Sequence, residues 1–273
     1  MNRSFHQFPC EGDMLAGSLD AGPKKTGILI VSGGNEIRSG AHSGMAHLAQ
    51  MLSNKGYPVF RYDRRGIGDS SGENAEFLHS GPDIVAASRY FRTCCPDIEK
   101  ILAFGNCDAA TALTLFASEA GIDRLALANP WVIEVDEDAL EKPTAPPPSA
   151  IRSRYWERLK NPQTIIDLFR GQIDFKKLLK GIKQALQKQE NTGLSLRLRD
   201  ALLNSAIPGR ILLANQDTTA RAFIAAWESN DYRSVRDRDQ LDMRSIDSAS
   251  HSFADAASKA WLEDQLVEML EKT

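Results

Sequence analysis

The segment Ile101-Leu102-Ala103-Phe104-Gly105-Asn106-Cys107-Asp108-Ala109-Ala110 constrains this chain more than any other. An apolar β-type run ends in Gly-x-Cys-x-Ala, and an Ala-rich helical pattern reaching Ser118 follows without a spacer. This predicts a strand, a sharp turn and a helix, with Cys107 at the apex and small residues two positions away on either side. Small neighbours are needed because the apex residue of such an elbow is held in a strained backbone conformation that larger flanking side chains would obstruct. A thiol at that apex lies at the positive end of a helix, which favours the thiolate, the nucleophilic form.

A strand–turn–helix unit of this kind belongs in a doubly wound sheet, and the surrounding pattern agrees. Met14 to Leu19 reads as an early antiparallel strand, and Gly27 to Val31 as a continuous apolar strand of the buried parallel kind. A helix over about Ser43–Lys55 aligns Met45, Leu48, Ala49 and Leu52, and Gly56 stops it before the next strand, Tyr57 to Tyr62. Asp83 to Cys95 reads as a helix with Ile84, Ala87 and Phe91 aligned. Ile98 to Phe104 is the strand into the elbow, and Arg124 to Ala128 the strand after it. Such alternation implies an α/β fold with a mostly parallel sheet.

The alternation breaks at Asn129-Pro130-Trp131. A Pro-rich stretch, Pro143 to Pro148, leads into helical patterns over Ala150–Leu159, Pro162–Arg170 and Phe175–Lys188. Strands resume at Gly209 to Ala214 and Leu241 to Ile246, and an amphipathic helix aligning Trp261, Leu262, Leu266, Met269 and Leu270 ends the pattern. The expected organisation is a core of 1–133 plus 206–273 with an inserted helical cap over 134–205.

Charge is uneven between these parts. The whole chain has a net charge of −3, yet residues 151–210 carry 13 Lys/Arg against 5 Asp/Glu. An overall acidic balance gives no case for nucleic acid. A basic insert suits either an anionic ligand over the site or a plain solvated face. The longest apolar runs are strand-length, far short of the ~20 residues of a spanning helix. Met1-Asn2-Arg3-Ser4-Phe5-His6 has no apolar signal core, which predicts a cytoplasmic protein. Cys10, Cys94, Cys95 and Cys107 form no Cys-x-x-Cys pair, so neither a zinc site nor a disulfide framework is expected, and no cofactor is implied.

A cysteine nucleophile needs a base, and the base an orienting carboxylate. In sheets built around such an elbow these follow in the chain order nucleophile, acid, histidine, from loops at the carboxyl ends of strands. Asp217 lies three residues after the strand ending at Ala214, and His251 follows the strand ending at Ile246. Asp231, Asp237, Asp239 and Asp247 also precede His251, with Asp247 the nearest rival on the histidine's own loop. The oxyanion hole is expected from the Asp108 N–H and from Ser32-Gly33-Gly34-Asn35, where Gly34 or Asn35 would donate. Asp108 is itself a rival apex nucleophile, but its small flanking positions would then be Asn106 and Ala110, and Asn suits that place poorly. Arg38, His42 and Trp131 are candidate substrate contacts. The Gly-rich loop from Asp63 to Gly72 reads as a turn held by Arg–Asp pairs.

The elbow, the Gly33-Gly34 loop and Asp63-x-Arg65-Gly66-x-Gly68-Asp69-Ser70 together resemble the α/β-hydrolase superfamily across nearly the whole chain. More narrowly, Gly105 to Ala110, Asn129 to Val132, Gly40 to Ser43 and Arg61 to Ser70 resemble the exosortase A system-associated hydrolase 1 family. That resemblance implies a setting beside bacterial exopolysaccharide and PEP-CTERM protein-sorting loci. The expectation is a hydrolase of esters or thioesters with a small-molecule or acyl-carrier substrate of anionic character. Transfer of the same acyl group to an acceptor hydroxyl, or a non-catalytic binding role on the same fold, are the alternatives.

Overall fold

In a computed structural model of the chain, residues 3–134 and 193–273 are described here. The expected cap helices between Ala150 and Lys188 lie outside the described residues.

Eight strands form one sheet in the order β1-β2-β4-β3-β5-β6-β7-β8. They are β1 (Arg3–Cys10), β2 (Asp13–Asp20), β3 (Thr26–Val31), β4 (Val59–Tyr62), β5 (Lys100–Asn106), β6 (Arg124–Ala128), β7 (Gly209–Ala214) and β8 (Leu241–Ile246). β2 runs antiparallel to both its neighbours, and every pairing from β4 to β8 is parallel. Among the described residues the α-helices are α1 (Gly44–Asn54), α2 (Gly81–Cys94), α3 (Asp108–Phe116), α4 (Gly193–Asn204), α5 (Thr218–Trp227), α6 (Arg233–Arg236) and α7 (Ala256–Glu271).

The central strands are apolar throughout because helices cover both faces of the sheet. Leu29 and Val31, Ile101 and Ala103, and Leu125 and Leu127 point into one core layer with residues of α2 to α6. Their chain neighbours Ile28 and Ile30, Leu102 and Phe104, and Ala126 and Ala128 point into the other, with α1 and α7. β3 feeds α1 on one face, whereas β5 feeds α3 on the opposite face. The chain therefore reverses its winding between β3 and β5, and a crevice opens at the carboxyl ends of those two strands.

Two features differ from the sequence expectation. β1 was not legible, because its pattern is poor: Phe5 is 74% exposed and Pro9 also faces out, while Phe8 and Cys10 are buried. A proline is tolerated there because β1 is an edge strand, paired only with β2. The second difference is α4, which the sequence reading includes in the cap. Leu198 and Leu202 instead join the core layer beside α3, and the Tyr232 hydroxyl donates to the Ser195 carbonyl at 2.7 Å.

Candidate active site

The loop after β3, the elbow after β5, and the loops after β7 and β8 converge at the carboxyl edge of the sheet. Cys107 is the residue between the end of β5 and the start of α3, with φ 63° and ψ −127°. The apex of the turn is thus Cys107, and Asp108 is the first residue of the helix. Close packing explains the small flanks: a Cβ on Gly105 would lie 2.8 Å from the Ala109 carbonyl carbon.

Asp217 caps α5, its Oδ2 accepting from the N–H groups of Thr219 at 2.9 Å and Ala220 at 3.0 Å. The same oxygen lies 3.1 Å from His251 Nδ1, and His251 and Cys107 line one cavity. Burial pushes the Asp217 carboxyl up, but the bonds from His251, Ala220 and Thr219 outweigh it and hold the group below its ordinary value. The imidazole is pushed up to about 10, first by its bond to Asp217 and then by that to Cys107, against the opposing effect of burial. Asp247 does not meet the histidine; its Oδ1 accepts from Gln216 Nε2 at 2.6 Å.

The oxyanion side departs from expectation. The Gly34 N–H, expected to face a substrate oxygen, donates instead to Asp108 Oδ1 at 2.7 Å, and the Gly34 carbonyl accepts from Arg64. Asn35 is exposed, its side-chain oxygen accepting from Asn74 Nδ2 at 2.9 Å. Asp108 opens α3 directly after Cys107, and its N–H, the first of the helix, has no intrahelical acceptor. The Asp108 side chain is buried, which pushes its carboxyl above the ordinary value, while the Gly34 N–H and Arg64 partly offset the rise. It ties the β3 loop to the elbow, and Gly33 has to be glycine there: a Cβ would lie 2.6 Å from both the Asn106 carbonyl oxygen and Asp108 Oδ1.

Of the candidate substrate contacts, Arg38 is committed elsewhere. Its guanidinium holds Asp63, meets Asp69 at 2.8 Å and donates to Ser18 at 3.0 Å, which fixes the Gly-rich loop. His42 lines a neighbouring cavity of about 140 Å3 with Met45, Leu48 and Phe253. Trp131 braces the elbow, its N–H donating to the Cys107 carbonyl at 3.3 Å and its carbonyl accepting from the Thr111 hydroxyl at 2.7 Å.

The cavity at the site itself measures about 120 Å3, and Cys107, His251, Gly33, Glu36, Met45 and Ser252 are among its lining. Glu36 was missed by the sequence reading, where it is one more acid in a polar loop. Asn106 and Asn129 were missed as well: both side chains donate to the His251 carbonyl, each at 3.1 Å. A polar residue immediately before the apex, and another directly after a buried parallel strand, were the available signals. Among the described residues no cluster of His, Cys, Asp and Glu is placed to hold a metal ion, and no helix is long and apolar enough to cross a membrane.

No protein-family model and no curated sequence matches the chain. Solved structures do. An esterase from Pyrococcus furiosus matches with a TM-score of 0.66 at 14% identity, over 99% of this chain and 90% of that one. An α/β hydrolase from Penicillium matches with a TM-score of 0.63 at 15% identity, over 100% and 99%. The thioesterase domain of the curacin biosynthetic pathway gives 0.58 at 14%, over 97% and 99%. The likeness at these identities is one of architecture, and the chain has the α/β-hydrolase fold.

Proposed function

We propose that the protein is a cytoplasmic hydrolase of esters or thioesters that works through Cys107, His251 and Asp217. The observation that carries this reading is the contact of His251 Nδ1 with Asp217 Oδ2 at 3.1 Å, on a histidine that lines one cavity with Cys107 at the apex of the elbow. An imidazole pushed up to about 10, first by its bond to Asp217, carries at neutral pH the proton that a leaving group needs.

The Cys107 sulfur attacks the acyl carbon and the carbonyl oxygen takes the negative charge, facing the Asp108 N–H at the head of α3. As the bond to the leaving group breaks, His251 Nε2 gives its proton to the departing alcohol or thiol. Water then attacks the Cys107 acyl thioester, its proton passing to His251, and the carboxylic acid and free thiol are released. A thiolate is also a good leaving group, so amides, whose amines leave poorly, suit this site less than thioesters, activated esters or lactones. Glu36 in the cavity disfavours negative charge beside the reacting carbonyl. The anionic part of an acyl-carrier or coenzyme A substrate would then lie away from Glu36, and the basic composition of 151–210 suits such a group. The motif resemblance supports work within an exopolysaccharide or exosortase system.

The test is to mix the protein with a panel of p-nitrophenyl esters and acyl thioesters, quench in acid within seconds and map the adduct by mass spectrometry. An acyl group on the peptide carrying Cys107 is expected, absent in Cys107→Ala and in His251→Ala. Acylation that persists unchanged in Cys107→Ala rules this nucleophile out.

A further inference from the structure

We infer that Asn129 is a positioning residue that holds in register the three segments carrying Cys107, His251 and Asp217; this rests on the reading of those residues as the reacting triad. Asn129 directly follows β6, is 0% exposed and has φ 40°, the left-handed region that asparagine tolerates better than most residues. Its carboxamide reaches all three segments at once. Nδ2 donates to the His251 carbonyl at 3.1 Å and to Asn106 Oδ1, next to the nucleophile, at 3.2 Å. Oδ1 accepts from the Ala214 N–H at 2.9 Å. The carbonyl of Ala214 in turn accepts from the Asp217 N–H at 2.9 Å. One planar group thus ties the histidine loop, the elbow and the approach to the acid.

The orientation of the amide is fixed by its partners. Turned over, the oxygen would face two acceptors and the NH2 group a donor, so every bond would be lost. The backbone around Asn129 strengthens the same assembly. The Asn129 N–H donates to the Leu212 carbonyl at 2.9 Å, and the Cys107 N–H donates to the Ala128 carbonyl at 2.9 Å. Asn106 adds a second donor to the His251 carbonyl. The backbone of His251 is therefore held by two carboxamides, while its ring is aimed by Asp217. No other residue type offers two donors and an acceptor in this plane at this size: Asp lacks the donors and Leu lacks everything but the shape.

The experiment compares Asn129→Asp and Asn129→Ser with the wild type; the smaller, uncharged serine is run alongside in case the aspartate variant does not fold. Three readouts are taken on folded protein: kcat and KM for a p-nitrophenyl ester, the pH profile of Cys107 alkylation by iodoacetamide, and the unfolding midpoint. Misplacement of reacting groups by about 1 Å costs roughly 100-fold, so kcat is expected to fall by about that factor with KM within about twofold. The pH profile of alkylation is expected to move, because the imidazole no longer sits correctly against the sulfur. A lower unfolding midpoint with wild-type kcat and an unmoved pH profile would overturn the inference and leave Asn129 as core structure only. His251→Ala separates the two levels. If it leaves turnover and Cys107 alkylation at wild-type rates, it is the triad reading that fails.

Discussion

Asp217 Oδ2 accepts three hydrogen bonds, two from the first turn of α5 and one from the imidazole. Capping and catalysis share an atom but need different things of it. Asparagine caps a helix about as well as aspartate, yet its neutral oxygen supports an imidazolium far less. Asp217→Asn is therefore expected to keep the cap yet lower the unfolding midpoint near pH 7, where the His251–Asp217 contact contributes stability, while kcat falls by up to roughly 10,000-fold, the scale seen when a triad acid is neutralised. Asp247→Asn, whose Oδ1 can still accept from Gln216 Nε2, should leave kcat within about twofold. The reverse pattern in steady-state kinetics would move the acid to 247. The pH dependence of stability gives a second check. His251 is raised from 6.5 to about 10 on folding, so its contribution is fully present below about 6.5 and is lost as pH rises through about 10. Asp217, held below its ordinary value, contributes above about 4 and loses that contribution as pH falls. Thermal melts of the wild type should thus weaken between about pH 7 and 10, and the Asp217→Asn variant should show a shallower decline.

At the scale of elements, what the sequence discloses and what it hides have separate causes. Strand–turn–helix punctuation is local, so Cys107, Asp217 and His251 could be assigned to loops at strand ends from spacing alone. Asn129 and Glu36 could not be given roles, because those depend on loops distant in sequence meeting at one edge of the sheet. α4 shows the same division. Leu194, Leu198 and Leu202 recur every four residues and announce a helix with one apolar face; which body that face covers is not written in the periodicity. The structure places the face on the core beside α3, so Leu198→Ala should destabilise the main unfolding transition by roughly 2–5 kcal/mol. Arg197, exposed on the same helix, should change it by no more than about 0.5 kcal/mol when replaced by alanine. Urea unfolding followed by intrinsic tryptophan fluorescence measures both. An unchanged midpoint for Leu198→Ala would return α4 to the cap.

In the whole molecule, the sheet order sets where chemistry can occur, and the two described stretches of the chain meet where one ends and the other begins. Glu134 Oε1 accepts from the Leu194 N–H at 2.9 Å, so residues 134 and 194 are neighbours in space although 60 positions apart. Among the described residues, those of 3–134 and 193–273 build the eight-stranded sheet, both core layers and the His251–Asp217 contact. Replacing 136–191 with a Gly/Ser linker of roughly four to six residues, an ordinary connection length, is accordingly expected to give a folded chain. In it, Cys107 should still react with iodoacetamide faster than Cys10 or Cys95, whose thiols burial pushes up to about 12 and about 11. The excised stretch carries 11 Lys/Arg against 8 Asp/Glu, with the positive excess confined to its part after 150. If that charge draws an anionic substrate to the site, kcat/KM of the full chain for a coenzyme A thioester should fall as salt rises, since exposed charges are screened beyond ~10 Å at 0.1 M. The shortened chain should show a flat salt response with that thioester and unchanged turnover of a small neutral ester. A salt response that survives the excision would place the attraction in the sheet domain, and one absent from the full chain would favour a neutral substrate.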